Sequence, residues 1–226
     1  MLIPQQILSG LGSTAAPATV TYVGNNFDGA PASTITFTAE PIGTAAADRF
    51  VVVAVNIQDN SAGTTAITTM TIGGNNAALL HSFKCATHRT MTAFYGLLVT
   101  SGTTADIVVT ANDAWDGVAI GVWRCNSLQS ETPTDTGGND TASAAITDTI
   151  NVSAGGVALA AGGVSNGNTT YTWSAPTERF DVVTDSATDS WSGASLAYAS
   201  AQSPLTVTLT PAATGTEQHM VCISLR

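Results

Sequence analysis

Charge is scarce in this chain. Asp, Glu, Lys and Arg together make up 10% of its 226 residues, and the balance is acidic, with 16 carboxylates against six basic groups and a single lysine, Lys84. Binding to a phosphate backbone draws on clustered cations that release counterions, so nucleic acid is excluded as a principal partner. Anionic membrane surfaces are excluded on the same ground. Cysteine is also sparse: Cys85, Cys125 and Cys222 are odd in number and far apart. That spacing does not make a disulfide framework and predicts three reduced thiols. Cys125 and Cys222 fall in mostly apolar strands, where a thiol packs as a small hydrophobe. Long apolar runs are missing. The longest weakly polar stretch, residues 154–164, is broken by glycines and has about half the length needed to span a bilayer. The opening MLIPQQILSGLGS has neither Lys nor Arg and no continuous apolar core, so a secretory signal is not expected. A soluble protein assembled in a cytoplasm is the expectation.

What is present is threonine and alternation. Thr fills 36 positions, nearly all inside or beside apolar stretches of period two, and β-branched side chains lose less on a pleated strand than on a helix. No segment holds a period of 3.6 residues, so the fold is expected to be all-β. Ser33–Ala39 alternates with Ile35 and Phe37 inward, and Leu205, Val207 and Leu209 alternate with Thr206, Thr208 and Thr210. Val51–Val55 and Val118–Trp123 are apolar on both faces, as strands covered on both sides are. Gly73-Gly74-Asn75-Asn76 and Asn166-Gly167 supply positive-φ positions for tight hairpins. The second half repeats the first: RFVVVAV, TTMTIGG, FYGLLV, DIVVT and GVAIGVWRC find counterparts in GGVALAA, TTYTWS, SLAYAS, LTVTLT and HMVCISL. Ile72 and Trp173, Tyr95 and Tyr198, and Ile107 and Val207 are 101, 103 and 100 residues apart. A duplicated object with no shared catalytic residue is a scaffold. The reading is an N-terminal arm, residues 1–16, followed by one β-sandwich domain, 17–226, fused from two similar halves, 17–127 and 128–226. The Thr-, Gly- and Asp-rich stretch 127–143 joins the halves as a linker or a surface excursion.

Candidate chemistry is thin. Gly163-Val164-Ser165-Asn166-Gly167 fits the G-x-S-x-G elbow of serine hydrolases, which needs a helix after it and a histidine later. Here a strand pattern, Thr169–Trp173, follows, and the only later histidine, His219, sits in a mostly apolar strand, so the segment reads as a hairpin loop. His81, Cys85 and His88 are zinc-type donors, but a structural site gathers four ligands and no fourth lies near. No metal is assigned. Lys84 and Arg89 beside them make a cationic spot suited to an acidic neighbour, or a solvated loop. Asp113 and Asp116 around Trp115, and the series Asp181, Asp185 and Asp189, offer oxygen ligands for Ca²⁺ or a glycosidase acid and base. They lack an EF-hand's spacing and terminal Glu, and Asp between strands usually bonds its own turn. Trp123 and Trp173 fall in strand patterns and belong to the core. Trp115 and Trp191 lie beside polar, Asp-containing turns. Those two are candidates for a sugar-stacking surface or a subunit contact, weighed against core packing, with Tyr95, Tyr171 and Tyr198 completing the aromatic set. No catalytic or cofactor-binding residue is assigned.

Ala47-Asp48-Arg49-Phe50-Val51-Val52-Val53, the Met70-Thr71-Ile72-Gly73-Gly74 hairpin, Phe94-Tyr95-Gly96-Leu97, the Gly102-Thr103 turn and Asp106-Ile107-Val108-Val109-Thr110 occur in a telling order. In that order residues 40–226 resemble a β-sandwich domain of phage virion proteins and large bacterial surface proteins. Its members carry Gly-x-x-Arg-Leu-Leu-Val-Val, Val-Thr-Tyr-Gly-Gly, Trp-Tyr-Leu, Gly-Thr and Thr-Val-Thr-Val in those places. The resemblance implies one jelly-roll-like domain containing both halves, with no catalytic residues and no cofactor. It further implies a non-enzymatic structural protein of a tailed-phage virion, on the capsid or tail surface, as a decoration, spike or fibre-associated protein. Such a protein would be assembled in the host cytoplasm and held to other virion subunits, and to copies of itself, through the arm and exposed strand edges. The alternative expectation is a carbohydrate-binding module for host-surface attachment, using Trp115 or Trp191 and Ca²⁺.

Overall fold

Period-two alternation sets the elements, and every regular element among the described residues is a strand. The computed structural model describes residues 15–58, 66–85, 90–141, 145–165, 169–184, 189–213 and 217–226. The first half contains β1 (Thr19–Asp28), β2 (Ala32–Pro41), β3 (Phe50–Gln58), β4 (Ile67–Ile72), β5 (Asn75–Asn76), β6 (Ala78–Lys84), β7 (Thr90–Leu98), β8 (Thr104–Trp115) and β9 (Gly117–Asn126). The second contains β10 (Asp135–Asp140), β11 (Ile146–Val152), β12 (Gly156–Ser165), β13 (Tyr171–Trp173), β14 (Glu178–Thr184), β15 (Asp189–Tyr198), β16 (Gln202–Pro211) and β17 (Glu217–Leu225). All pairings are antiparallel.

The first half forms a large sheet, β1-β9-β3-β7-β6, and a small one, β2-β8-β4-β5; the second forms β10-β17-β12-β15-β14 and β11-β16-β13. Counted within each half, the strand order is the same, with the two-residue β5 the one strand lacking a counterpart.

Three buried clusters stack the sheets in four layers. The first lies between the first half's large and small sheets, with Val51, Val53, Val55 and Ile57 of β3 facing Ile35, Phe37, Met70, Ile72, Ile107 and Val109. The third lies between the second half's two sheets, with Ala158 and Ala160 of β12 facing Ile146, Ile150, Val207 and Leu209. The middle cluster joins the halves: Phe50, Val52, Ala54, Phe94 and Trp123 of the first large sheet meet Val157, Leu159, Ala161, Val221 and Ile223 of the second. Neighbouring residues on a strand point to opposite faces, so β3 sends its odd residues into the first cluster and its even ones into the middle. That division explains its unbroken apolar run. The outer strands β2, β8 and β16 have one wet face and alternate with threonine.

Close approach at the middle layer depends on small residues. A Cβ at Gly121 or Gly193 would come within 2.6 or 2.3 Å of the Phe180 ring, which lies between the large sheets with Tyr22 and Trp123 at centroid distances of 5.7 and 6.0 Å. The stretch 127–143, expected as a linker or excursion, contains β10, a paired edge strand of the second large sheet. Its glycines serve contact as much as flexibility, since a Cβ at Gly138 would press to 2.6 Å from Phe83. Gly73 and Gly74, at φ 58° and 78°, make the tight hairpin that their sequence predicts. Asn166-Gly167 and residues 1–14 of the arm lie outside the described residues. The chain enters the fold against the second half, where Arg226 Nη1 donates to Ala16 O at 3.0 Å and Ala18 N to Gly155 O at 2.7 Å.

Candidate functional site

The two tryptophans proposed as sugar platforms are interior. Trp115 is 0% and Trp191 2% exposed, so neither offers a ring face to solvent. The register of β8 against β2 slips between Thr110 and Trp115, and the exposed Asn112-Asp113-Ala114 form the slip. The polar neighbours that suggested a surface turn are thus a bulge, beyond which Trp115 swings back into the first core. Trp191 lies on the middle layer, edge-on to His219 at a centroid distance of 5.7 Å.

Among the described residues the candidate carboxylates form no three-ligand cluster. Asp113 Oδ1 accepts from Ala114 N at 2.8 Å, a local turn bond. Asp181 Oδ2 accepts from Tyr171 N at 2.8 Å; burial raises its pKa and this bond opposes the rise. Asp189 is buried at the start of β15, Asp116 N donates to Gln58 O at 2.9 Å, and Asp185 lies outside the described residues. Among the described residues no three His, Cys, Asp or Glu side chains are placed to hold a metal ion. Ser165 ends β12, and the next strand begins at Tyr171; its side chain and residues 166–168 lie outside the described residues.

Of the zinc-type donors, His81 is on β6, and Cys85 follows that strand. Burial lowers the His81 pKa, and Asp148 opposes the shift. The Cys85 thiol is 3% exposed and donates to Asp140 Oδ2 at 3.1 Å. His88 and Arg89 lie outside the described residues.

One buried polar cluster among the described residues is one that sequence reasoning passed over. At one end of the middle layer His219 of β17 faces Asn56 of β3 and Thr90 and Thr92 of β7, all four fully buried. His219 Nε2 lies 2.6 Å from Thr92 Oγ1 and Nδ1 lies 3.2 Å from Thr90 Oγ1. Thr92 Oγ1 donates to Asn56 Oδ1 at 2.5 Å, which commits its one proton, so by the network's logic Nε2–H donates to Thr92 and Nδ1 accepts from Thr90. The imidazole is neutral in this arrangement. Burial pushes its pKa down to about 4, although Asp140 pulls it the other way. Asn56 Nδ2 is buried without a hydrogen-bond partner. No periodic signal marked this cluster, because its members come from three strands of both halves.

One open groove lies between β4 and the edge strand β6. It holds about 330 Å³ and is lined by Ile67, Thr68, Met70, Asn76, Leu79 and Tyr95, with no charged side chain. Leu79 is 54% exposed there, and Val183, on the corresponding edge strand β14 of the second half, is 48% exposed.

No protein-family model matches the chain, and no curated protein matches it.

Proposed function

We propose that this protein is a non-enzymatic structural component of a tailed-bacteriophage virion, carried on the capsid or tail surface as a decoration, spike or fibre-associated protein. The observation that carries the reading is the burial of both faces of both large sheets between the halves and their own small sheets. Three packed layers of contact leave a rigid body whose recognition resources are its edges and loops. Among the described residues β6 and β14 each end a large sheet and carry the exposed apolar side chains Leu79 and Val183; sheet-edge strands are ready surfaces for contact with another chain. The resemblance of residues 40–226 to virion sandwich domains supports the same reading. Partners are then other capsid or tail subunits and further copies of this chain, assembled in the host cytoplasm.

Tryptic peptides from purified particles, together with a cryo-EM map of them, test the assignment. Peptides present at a stoichiometry matching a symmetric site are expected. Absence of the protein from the mature particle would refute it. The sugar-binding alternative loses its two platforms to the core, and the isolated protein is expected to leave a glycan array blank with or without calcium.

A further inference from the structure

We propose that the cluster around His219 is an acid-sensitive latch between the two halves: protonation of the imidazole loosens that end of the middle layer while each half keeps its own core. Among the hydrogen bonds described, two links cross the halves there. One is the chain His219–Thr92–Asn56 with Thr90 on the other ring nitrogen; the other is the Cys85 thiol on Asp140. With Asn56 Oδ1 as the acceptor of the Thr92 hydroxyl, the first runs in one direction. Thr90 must donate to Nδ1, because Nε2–H is given to Thr92, whose proton is given to Asn56. A second proton on the ring makes Nδ1 a donor, so Thr90 Oγ1 must turn its own proton away to accept it, and a positive charge is then held in a fully buried site whose hydrogen-bonding neighbours are neutral hydroxyls.

The surroundings offer little compensation. Strands β3 and β7 present Asn56, Thr90 and Thr92, and β12 presents Gly163 opposite His219, none of them titratable. From β10, Asp140 pairs directly across from His219 and favours the charged ring, yet burial outweighs it. From β15, Trp191 meets the ring edge-on, and Asp189 shares its alternating face. Cys85 follows β6, on which His81 pairs with Phe94 and so turns toward the middle layer, with Asp148 favouring its charged form, while Lys84 pairs with Met91 and so turns toward the first core. Glu217 is on the same strand, with its side chain outside the described residues.

The sign follows from the two protonation constants. The closed latch binds fewer protons than an opened one, so its advantage is complete above the ordinary histidine value and is lost as pH falls toward the buried value of about 4. With an ordinary value of about 6.5, the opened fraction at pH 5 is expected to be about 30-fold that at pH 8.

Thiol labelling reads this directly. Cys85 sits at the latch end, and Cys222 lies in the second half's own core. Dithiodipyridine, which reacts with thiols in acid, is expected to modify Cys85 on the order of 30-fold faster at pH 5 than at pH 8 after correction for intrinsic reactivity, with Cys222 protected at both. In His219→Gln the acid acceleration at Cys85 is expected to vanish. Acceleration that persists in the variant, or Cys222 labelling in step with Cys85, would overturn the proposal. Should the variant fail to fold, imidazole C–H NMR of the wild-type protein decides. A Cys85 midpoint coinciding with the His219 titration supports the latch, and a midpoint where His219 does not titrate rejects it.

Discussion

Arg49 offers the sharpest test of how the first half is held together. It directly precedes β3, is fully buried, and spends its guanidinium on backbone carbonyls alone among the hydrogen bonds described. Nε donates to Val99 O at 2.7 Å, Nη1 to Gly43 O at 2.6 Å and Gly102 O at 2.8 Å, and Nη2 to Ser101 O at 2.6 Å. One side chain thereby pins the β2–β3 loop and the β7–β8 turn to the start of the central strand. Replacing it by methionine keeps much of the volume and removes all four donors. A buried acceptor stripped of its donor costs about 1–3 kcal/mol. Ser101 and Gly102 are exposed residues, so water can reach part of the vacated site, and the low end applies. Arg49→Met is therefore expected to cost about 4 kcal/mol. Arg49→Lys keeps the charge but not the planar fork, and about 2 kcal/mol is expected. Arg124→Met is the control: among the hydrogen bonds described its guanidinium makes one long bond, 3.4 Å to Thr44 O, and a change below about 1 kcal/mol is expected. Urea unfolding with the slope held common gives the differences. Arg49→Met within about 1 kcal/mol of wild type, or a lysine variant equal to the parent, would refute the account.

Other residues make independent tests. Gly163→Ala places a Cβ 2.1 Å from the Trp191 ring and 2.5 Å from Ser190 O; a loss of about 1–3 kcal/mol is expected in the same assay. Trp115→Ala and Trp191→Ala are each expected to lose about 3–5 kcal/mol of stability by cavity formation, seen as a lower urea midpoint. Cys125 and Cys222 are buried thiols pushed up to about 12, so neither is expected to react with Ellman's reagent at pH 8 until denaturant is added. Burial raises the phenols of Tyr22 and Tyr95 to about 12. A group raised in the folded state supports it below its unfolded value and loses that support as pH climbs through the folded one. Stability should therefore fall between about pH 10 and 12, with the ultraviolet tyrosinate signal lagging that of an unfolded control.

The elements were legible because period-two alternation is local. Leu205, Val207 and Leu209 declare a half-wet strand within six residues, and Val51–Val55 declares one covered on both sides. Neither pattern says what does the covering. The even residues of β3 meet β12 and β17, more than 100 positions away, and no local signal encodes that. Core packing, one of the two readings open for Trp115, is the one the structure takes: Asp113 and Asp116 set its sequence neighbourhood, while a bulge in β8 sets its direction. His219 reads as a polar intrusion in an apolar strand, and only the arrival of Thr90 and Thr92 from the other half makes it a network. Gly137 and Gly138 read as linker residues because close packing and flexibility ask for the same amino acid.

Equal strand order in the two halves makes their differences informative. Corresponding edges of the two sandwiches are finished differently. In the second half Asp181 on β14 takes the Tyr171 N–H of β13 at 2.8 Å, and the Trp173 indole donates to Ser192 at 2.8 Å. These contacts tie the small sheet's edge strand to the large sheet. In the first half the same opening, between β4 and β6, is the uncharged groove with Leu79 at its rim. Packing requires only that each large sheet be covered on both faces, and both halves meet that requirement. The scaffold therefore constrains the buried residues of both copies alike, while the sides of the sandwiches stay free to diverge. Two halves that share a strand order and differ at their edges can present two different contacts.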